Sequence, residues 1–162
     1  MGRILLWSAI VVVAISSAAL AQEGSPGNAA AVVAKPSDLK WGDAPAVFEK
    51  GASMAVVSGD PSKEGLYVVR LKMPAGYKIN AHYHPTDEHV TVISGTFLIG
   101  MGDKLDKSKM QELPAGGYTL LPAQMHHYAM AKNACVVQVH GMGPFSLTYV
   151  DPTDDPTKRV PK

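Results

Sequence analysis

Short apolar runs recur along the chain, many alternating with polar residues, and Gly, Pro and Asp separate them. The runs lie at 52–58, 66–73, 77–84, 89–93, 96–101, 118–121, 127–131, 136–140 and 146–150. An alternation of period two puts successive side chains on opposite faces of a strand, so each run reads as a half-buried β-strand. No segment carries a helical apolar stripe of useful length. Many strands at short spacing with turn residues between them predict an all-β sandwich or barrel, and Ser94-Gly95 between two apolar runs predicts a tight hairpin. With no internal repeat in sight, one barrel is expected.

The two ends read differently. Arg3, an almost unbroken apolar run over 4–19 and the small-x-small pattern Ala19-Leu20-Ala21 predict a secretory signal peptide at 1–21. The run is shorter than the roughly 20 residues of a spanning helix and no basic cluster follows it, so no stable membrane anchor is expected after cleavage. The mature chain is expected to be exported, periplasmic or extracellular. Residues 22–37, rich in Ala, Gly, Ser and Pro, read as a flexible spacer, and 38–150 as a single folded domain. Pro152, Pro156 and Pro161 among charged residues predict an extended tail over 151–162.

A formal charge of +1 and the absence of a long basic run argue against nucleic acid as a partner. Cys135 is the only cysteine, so no internal disulfide is possible, and its apolar surroundings predict a small buried hydrophobe rather than a reactive thiol. The scattered methionines read as core filler.

The chemistry concentrates between Gly76 and Gly95. His82 and His84 are two apart on one strand and share a face. Pro85-Thr86-Asp87 breaks that strand, and Glu88 opens the next, which brings a carboxylate back beside the two imidazoles. His127, following Pro122, supplies a further imidazole. Three imidazoles and one carboxylate suit one divalent ion of the Fe, Mn, Ni, Zn or Cu group, with coordination positions left open for a ligand.

These residues resemble the cupins. Gly76, His82, His84, Glu88 and Gly95 meet every spacing of the first cupin motif, G-x5-H-x-H-x3-E-x6-G. The second motif, G-x5-P-x-G-x2-H-x3-N, is met by Gly116, Pro122 and His127, with Gln124 in place of the glycine and Ala131 in place of the asparagine. The resemblance spans roughly 41–150. It implies a double-stranded β-helix holding a metal in the barrel mouth with His82, His84, Glu88 and His127, and it implies a homodimer. His126 is the rival to His127 as fourth ligand, and motif spacing favours His127.

His126 and His140 are the candidate proton-transfer groups. His126 is expected outside the barrel or at its rim. Gln138 and His140 alternate with Val137 and Val139, so they line either the cavity or a solvated face, and both readings stand. The same question attaches to Arg70 and Lys72, for which a solvated outer face is expected, while His89 and Tyr83 are expected to point away from the metal.

Because the cupin barrel hosts many reactions, the site rather than the fold must decide function. The first reading is an enzyme acting on a small organic molecule at a three-His, one-Glu centre, with dioxygenase-like chemistry ahead of isomerase or lyase chemistry. The alternatives are a non-catalytic metal- or ligand-binding module and a protein acting on sugar acids.

Overall fold

The computed structural model describes residues 31–159. The expected signal peptide at 1–21 and the first part of the spacer lie outside the described residues. The strands in chain order are β1 (Gly42–Asp43), β2 (Ser53–Ser58), β3 (Gly65–Met73), β4 (Lys78–Tyr83), β5 (Glu88–Ser94), β6 (Thr96–Met101), β7 (Gln111–Pro114), β8 (Tyr118–Leu121), β9 (His127–Ala131), β10 (Cys135–Gly143) and β11 (Thr148–Tyr149). They form two antiparallel sheets, β1-β2-β3-β10-β5-β8 and β11-β4-β9-β6-β7. Each apolar run of the sequence became a strand. The unanticipated additions, β1 and β7, are short edge strands with no alternation to announce them; β7 ends in Pro114, which an edge tolerates because it needs no amide there.

The inner faces of both sheets meet in one core. From the first sheet come Tyr67, Val69, Leu71, Met73, Val137 and Val139, and from the second Ile79, Phe97, Ile99, Ala129 and Ala131. Each fully buried large side chain contributes about 1.5–3 kcal/mol relative to exposure. Cys135 is buried among them, and burial pushes its thiol up to about 11, in keeping with an inert packing role.

The alternate residues of β3 and β10 face outward. Gln138 lies opposite Arg70, and Arg70 Nε donates to Gln138 Oε1 at 3.2 Å. Lys72 sits over the Trp41 ring, 4.1 Å from its centroid. The polar face of this sheet is therefore its outer one.

Within the tail, expected to be extended, Pro152–Asp154 and Pro156–Lys158 form single 3-10 turns. The physical reason is capping: the Asp151 and Asp155 carboxylates accept from the amides of Thr153 and Thr157, and proline fits the first position of such a turn. Asn80 Nδ2 donates to Asp154 Oδ1 at 2.8 Å, which ties the tail to β4.

One irregularity positions the site. Between β4 and β9 the register runs Ile79 opposite Ala129 and then His82 opposite His127, so three steps on β4 match two on β9. This bulge at Asn80-Ala81 re-aims the strand, and Ile79 and His82 both line the barrel cavity despite their odd spacing.

Candidate metal centre

His82, His84 and His127 are 3%, 6% and 2% exposed, and each offers a ring nitrogen within 4.8 Å of the others. They could hold a metal ion. The rings are close: His82 and His127, paired across β4 and β9, have centroids 4.1 Å apart, and His82 and His84 5.1 Å apart. Glu88, the first residue of β5, reaches in from the other sheet, with its Oε2 3.5 Å from both His84 Nε2 and His127 Nε2.

Each imidazole is oriented from behind by a backbone carbonyl. His82 Nδ1 bonds the Asn80 carbonyl at 2.7 Å, His84 Nδ1 that of Ser146 at 2.7 Å, and His127 Nδ1 that of Met125 at 2.9 Å. A carbonyl only accepts, so Nδ1 carries the proton in each ring and Nε2 presents a lone pair inward. The Nε2 atoms of His84 and His127 are buried without a hydrogen-bond partner. Buried polar atoms left unpaired are costly, and here they are lone pairs beside a carboxylate. That donor set fits a divalent cation, with the carbonyls serving as the outer partners that fix ring orientation and tautomer.

The electrostatics agree. Burial, and then the neighbouring His127 and His84, lower His82 to about 3, so it stays neutral in the fold. Burial alone would raise Glu88, but the surrounding imidazoles, His127 foremost, outweigh it and bring it down to about 2. A neutral imidazole at His82 and an ionised carboxylate at Glu88 are the protonation states a metal requires.

The centre opens into a cavity of about 280 Å³ running through the barrel. Apart from His82, His84, Glu88 and His127, its polar lining consists of Ser62 and Tyr67; the rest is apolar, including Met54, Val69, Leu71, Phe97 and Val137. At its mouth Phe145 packs on the His84 ring at 5.5 Å and stacks with Phe48 at 6.2 Å and 11°. No Lys or Arg side chain lines it among the described residues. Burial, with the charge of Glu88 added, raises the Tyr67 hydroxyl to about 12.

The candidate proton-transfer residues fall outside this cavity. His140 points to the outer face of β10, because Val137 and Val139 take the inner positions and parity sends its neighbours out. There it stacks on His89, directly opposite on β5, at 4.7 Å and 8°, and His89 Nδ1 bonds the Tyr118 hydroxyl at 2.7 Å. His126 precedes β9, bonds Asp103 Oδ1 through Nδ1 at 2.7 Å and stacks on Tyr83. Neither His126 nor His140 lines the cavity, and Arg70 does not either. Tyr67, Phe48 and Phe145 were not singled out from the sequence. Tyr67 had a signal, since it shares parity with Val69, Leu71 and Met73; the two phenylalanines lie in loops, where no periodicity speaks.

The chain can now be set among known proteins. Residues 7–148 match the family described as "Domain of unknown function (DUF4437)". The chain belongs to this family. Among solved structures it is similar to the polyketide cyclase RemF from Streptomyces resistomycificus, with 14% identity, 76% of this chain and 88% of that one covered, and a TM-score of 0.64. A proposed acetylacetone dioxygenase from Methylibium petroleiphilum PM1 is 19% identical over 94% of this chain and 90% of its own, with a TM-score of 0.57. An RmlC-like cupin from Shewanella frigidimarina NCIMB 400 is 15% identical, with 70% and 91% covered and a TM-score of 0.55. At these identities the likeness is one of fold, and the fold of this DUF4437 chain is the cupin double-stranded β-helix. No curated protein matches it.

Proposed function

We propose that this protein holds one divalent metal ion with His82, His84, Glu88 and His127 and acts on a small, largely apolar organic molecule in the barrel, by dioxygenase-like chemistry. The observation that carries the reading is the pair of buried, unpartnered Nε2 atoms of His84 and His127 facing Glu88 at a cavity of about 280 Å³. An ion bound there supplies Lewis acidity and open positions for an oxygen-bearing ligand.

The chain's own residues do the rest. The three carbonyls hold the rings in one tautomer, Glu88 contributes one negative charge, and the apolar walls keep water from the ligand. A lining with so few polar groups favours apolar ligands over sugar acids, whose many hydroxyls would be left without partners there. The dioxygenase direction draws on the Methylibium neighbour, described as acting on acetylacetone, and on an interior suited to such a molecule. We further propose that this activity lies outside the cytoplasm, a reading supported by the signal-like segment at 1–21.

A second reading, ligand binding without turnover, is favoured by the placement of His126 and His140 away from the cavity. One experiment separates them. Metal content of the purified protein and of a His82→Ala, His84→Ala variant is measured first, then dioxygen uptake by the iron-loaded protein with acetylacetone and a panel of catechols. About one ion per chain, lost in the variant, with substrate-dependent uptake supports the enzyme; a held ion with binding but no uptake supports the binder. Equal, negligible metal in both proteins after reconstitution overturns the metal centre.

A further inference from the structure

We propose that Tyr67 is the specificity-determining hydrogen-bond donor of the cavity, selecting small monoanions that carry an enolate or phenolate oxygen on an apolar body. This rests on the reading that the three-His, one-Glu cluster holds a divalent ion.

The placement of Tyr67 follows from strand register. Gly141 on β10 lies opposite Tyr67 on β3 and opposite Glu88 on β5, so the three residues form one row across the sheet. A Cβ at Gly141 would lie 3.2 Å from the Tyr67 hydroxyl and 3.6 Å from its Cζ. The glycine therefore leaves room for the phenol to lie across β10 towards the carboxylate end of the cluster. Phe145 meets the Tyr67 ring edge-on at 6.2 Å and 83° and holds its plane.

Its hydroxyl is distinctive among the buried tyrosines. Tyr77, Tyr128 and Tyr149 give theirs to the carbonyls of Glu49, Asp106 and Val47. The Tyr67 hydroxyl has no such partner among the described residues, yet it belongs to the cavity wall beside His84 and Glu88. Tyrosines this buried generally give their hydroxyl to a partner, and on the cavity wall a ligand oxygen can take that place.

Charge narrows the ligand further. Three neutral imidazoles and one carboxylate around a divalent ion leave one positive charge. A monoanion balances it, whereas a phosphate or dicarboxylate adds negative charge that no Lys or Arg of the lining offsets. The ionised oxygen is also the acceptor to which a neutral phenol donates most strongly.

The test compares cobalt(II)-loaded wild-type protein with a Tyr67→Phe variant, which keeps the ring and removes only the donor. Metal content, the cobalt d–d spectrum and the thermal midpoint are recorded first. Both proteins are then titrated with 4-nitrophenol, an oxygen donor that ionises on binding, and with pyridine, which binds metals through nitrogen and offers no acceptor oxygen. The expected result is equal cobalt content, affinity for 4-nitrophenol about tenfold weaker in the variant, and equal affinity for pyridine. Equal 4-nitrophenol affinity in two cobalt-loaded proteins, no binding by the loaded wild type, or an equal loss for pyridine overturns the role of Tyr67 and leaves the metal centre standing. Absence of cobalt from the wild type removes the metal centre itself and this inference with it.

Discussion

The backbone amide of Gln124 donates to the carbonyl of His84 at 2.9 Å, joining the loop before one candidate ligand, His127, to the strand end that carries another. A second tie runs beside it, from the Ala123 amide to Asp87 Oδ1 at 2.8 Å. Gln124 makes this contact with φ at 64°, the one positive φ of a non-glycine residue among those described. It stands where the second cupin motif has glycine, so the turn shape survives without the residue that suits it best.

Left-handed backbone costs a residue with a Cβ about 1 kcal/mol, partly balanced in glycine by its greater entropy loss on folding. Gln124→Gly is therefore expected to raise stability to urea by about 0.5–1 kcal/mol and to leave metal affinity unchanged. Gln124→Val, β-branched at positive φ, should lower both. Equal stability of all three proteins would mean that the loop is not held by the His84 contact.

Gly100 and Tyr128 face each other across β6 and β9 on the side of β9 opposite His127. A Cβ at Gly100 would come within 2.3 Å of Tyr128 Cε2 and 2.5 Å of its Cζ. Gly100→Ala must therefore displace a buried ring whose neighbour in the chain is a candidate ligand. A loss of about 1–3 kcal/mol is expected by denaturant unfolding. A Gly100→Ala, Tyr128→Ala double variant should show non-additivity, because the second change removes the clash.

Glu88 carries the only negative charge of the donor cluster, with its Oε2 3.5 Å from two imidazole nitrogens. Glu88→Gln keeps the shape and removes that charge. Affinity for zinc or cobalt, measured by competition with a chromogenic chelator, is expected to fall by at least about tenfold. Unchanged affinity would place the carboxylate outside the coordination set.

Much of this was legible before the fold was seen, for reasons that differ by residue. Strand alternation makes the inward run of Val69, Leu71 and Met73 readable, and two-residue spacing puts His82 and His84 on one face. The same parity argument left His140 undecided, because alternation says that a strand has a polar face but not which way it turns. Neighbouring strands decide that: β10 sits between β3 and β5, and Val137 and Val139 take the interior. The β4 bulge was not legible, since an extra residue in a ladder has no periodic signature, yet it is what allows Ile79 and His82 to share the cavity. Phe48 and Phe145 reach the mouth from loops, and loop paths depend on contacts such as the Phe145 amide with the Pro61 carbonyl, remote in sequence.

Acidification should destabilise the metal-free protein before it affects most surface groups. His82, held down to about 3 by burial and by His127 and His84, stays neutral in the fold, whereas in the unfolded chain it takes a proton near the ordinary imidazole value of 6.5. Between those values the unfolded state binds a proton that the folded state refuses, so stability falls as pH falls, by about 1.4 kcal/mol per unit well inside the window. Glu88, depressed from 4.5 to about 2, adds a loss of the same sign at more acid pH. Stability is thus expected to be level above about pH 6.5 and to decline below it. Urea unfolding of the chelator-treated protein at half-unit steps from pH 7.5 to 4.5 measures the slope, and His82→Gln should reduce it over that range. Added zinc should raise stability most at the upper end, because the ion competes with protons for the same nitrogens. A metal-free protein equally stable at pH 7 and pH 5 would mean that folded His82 accepts a proton, which its burial argues against.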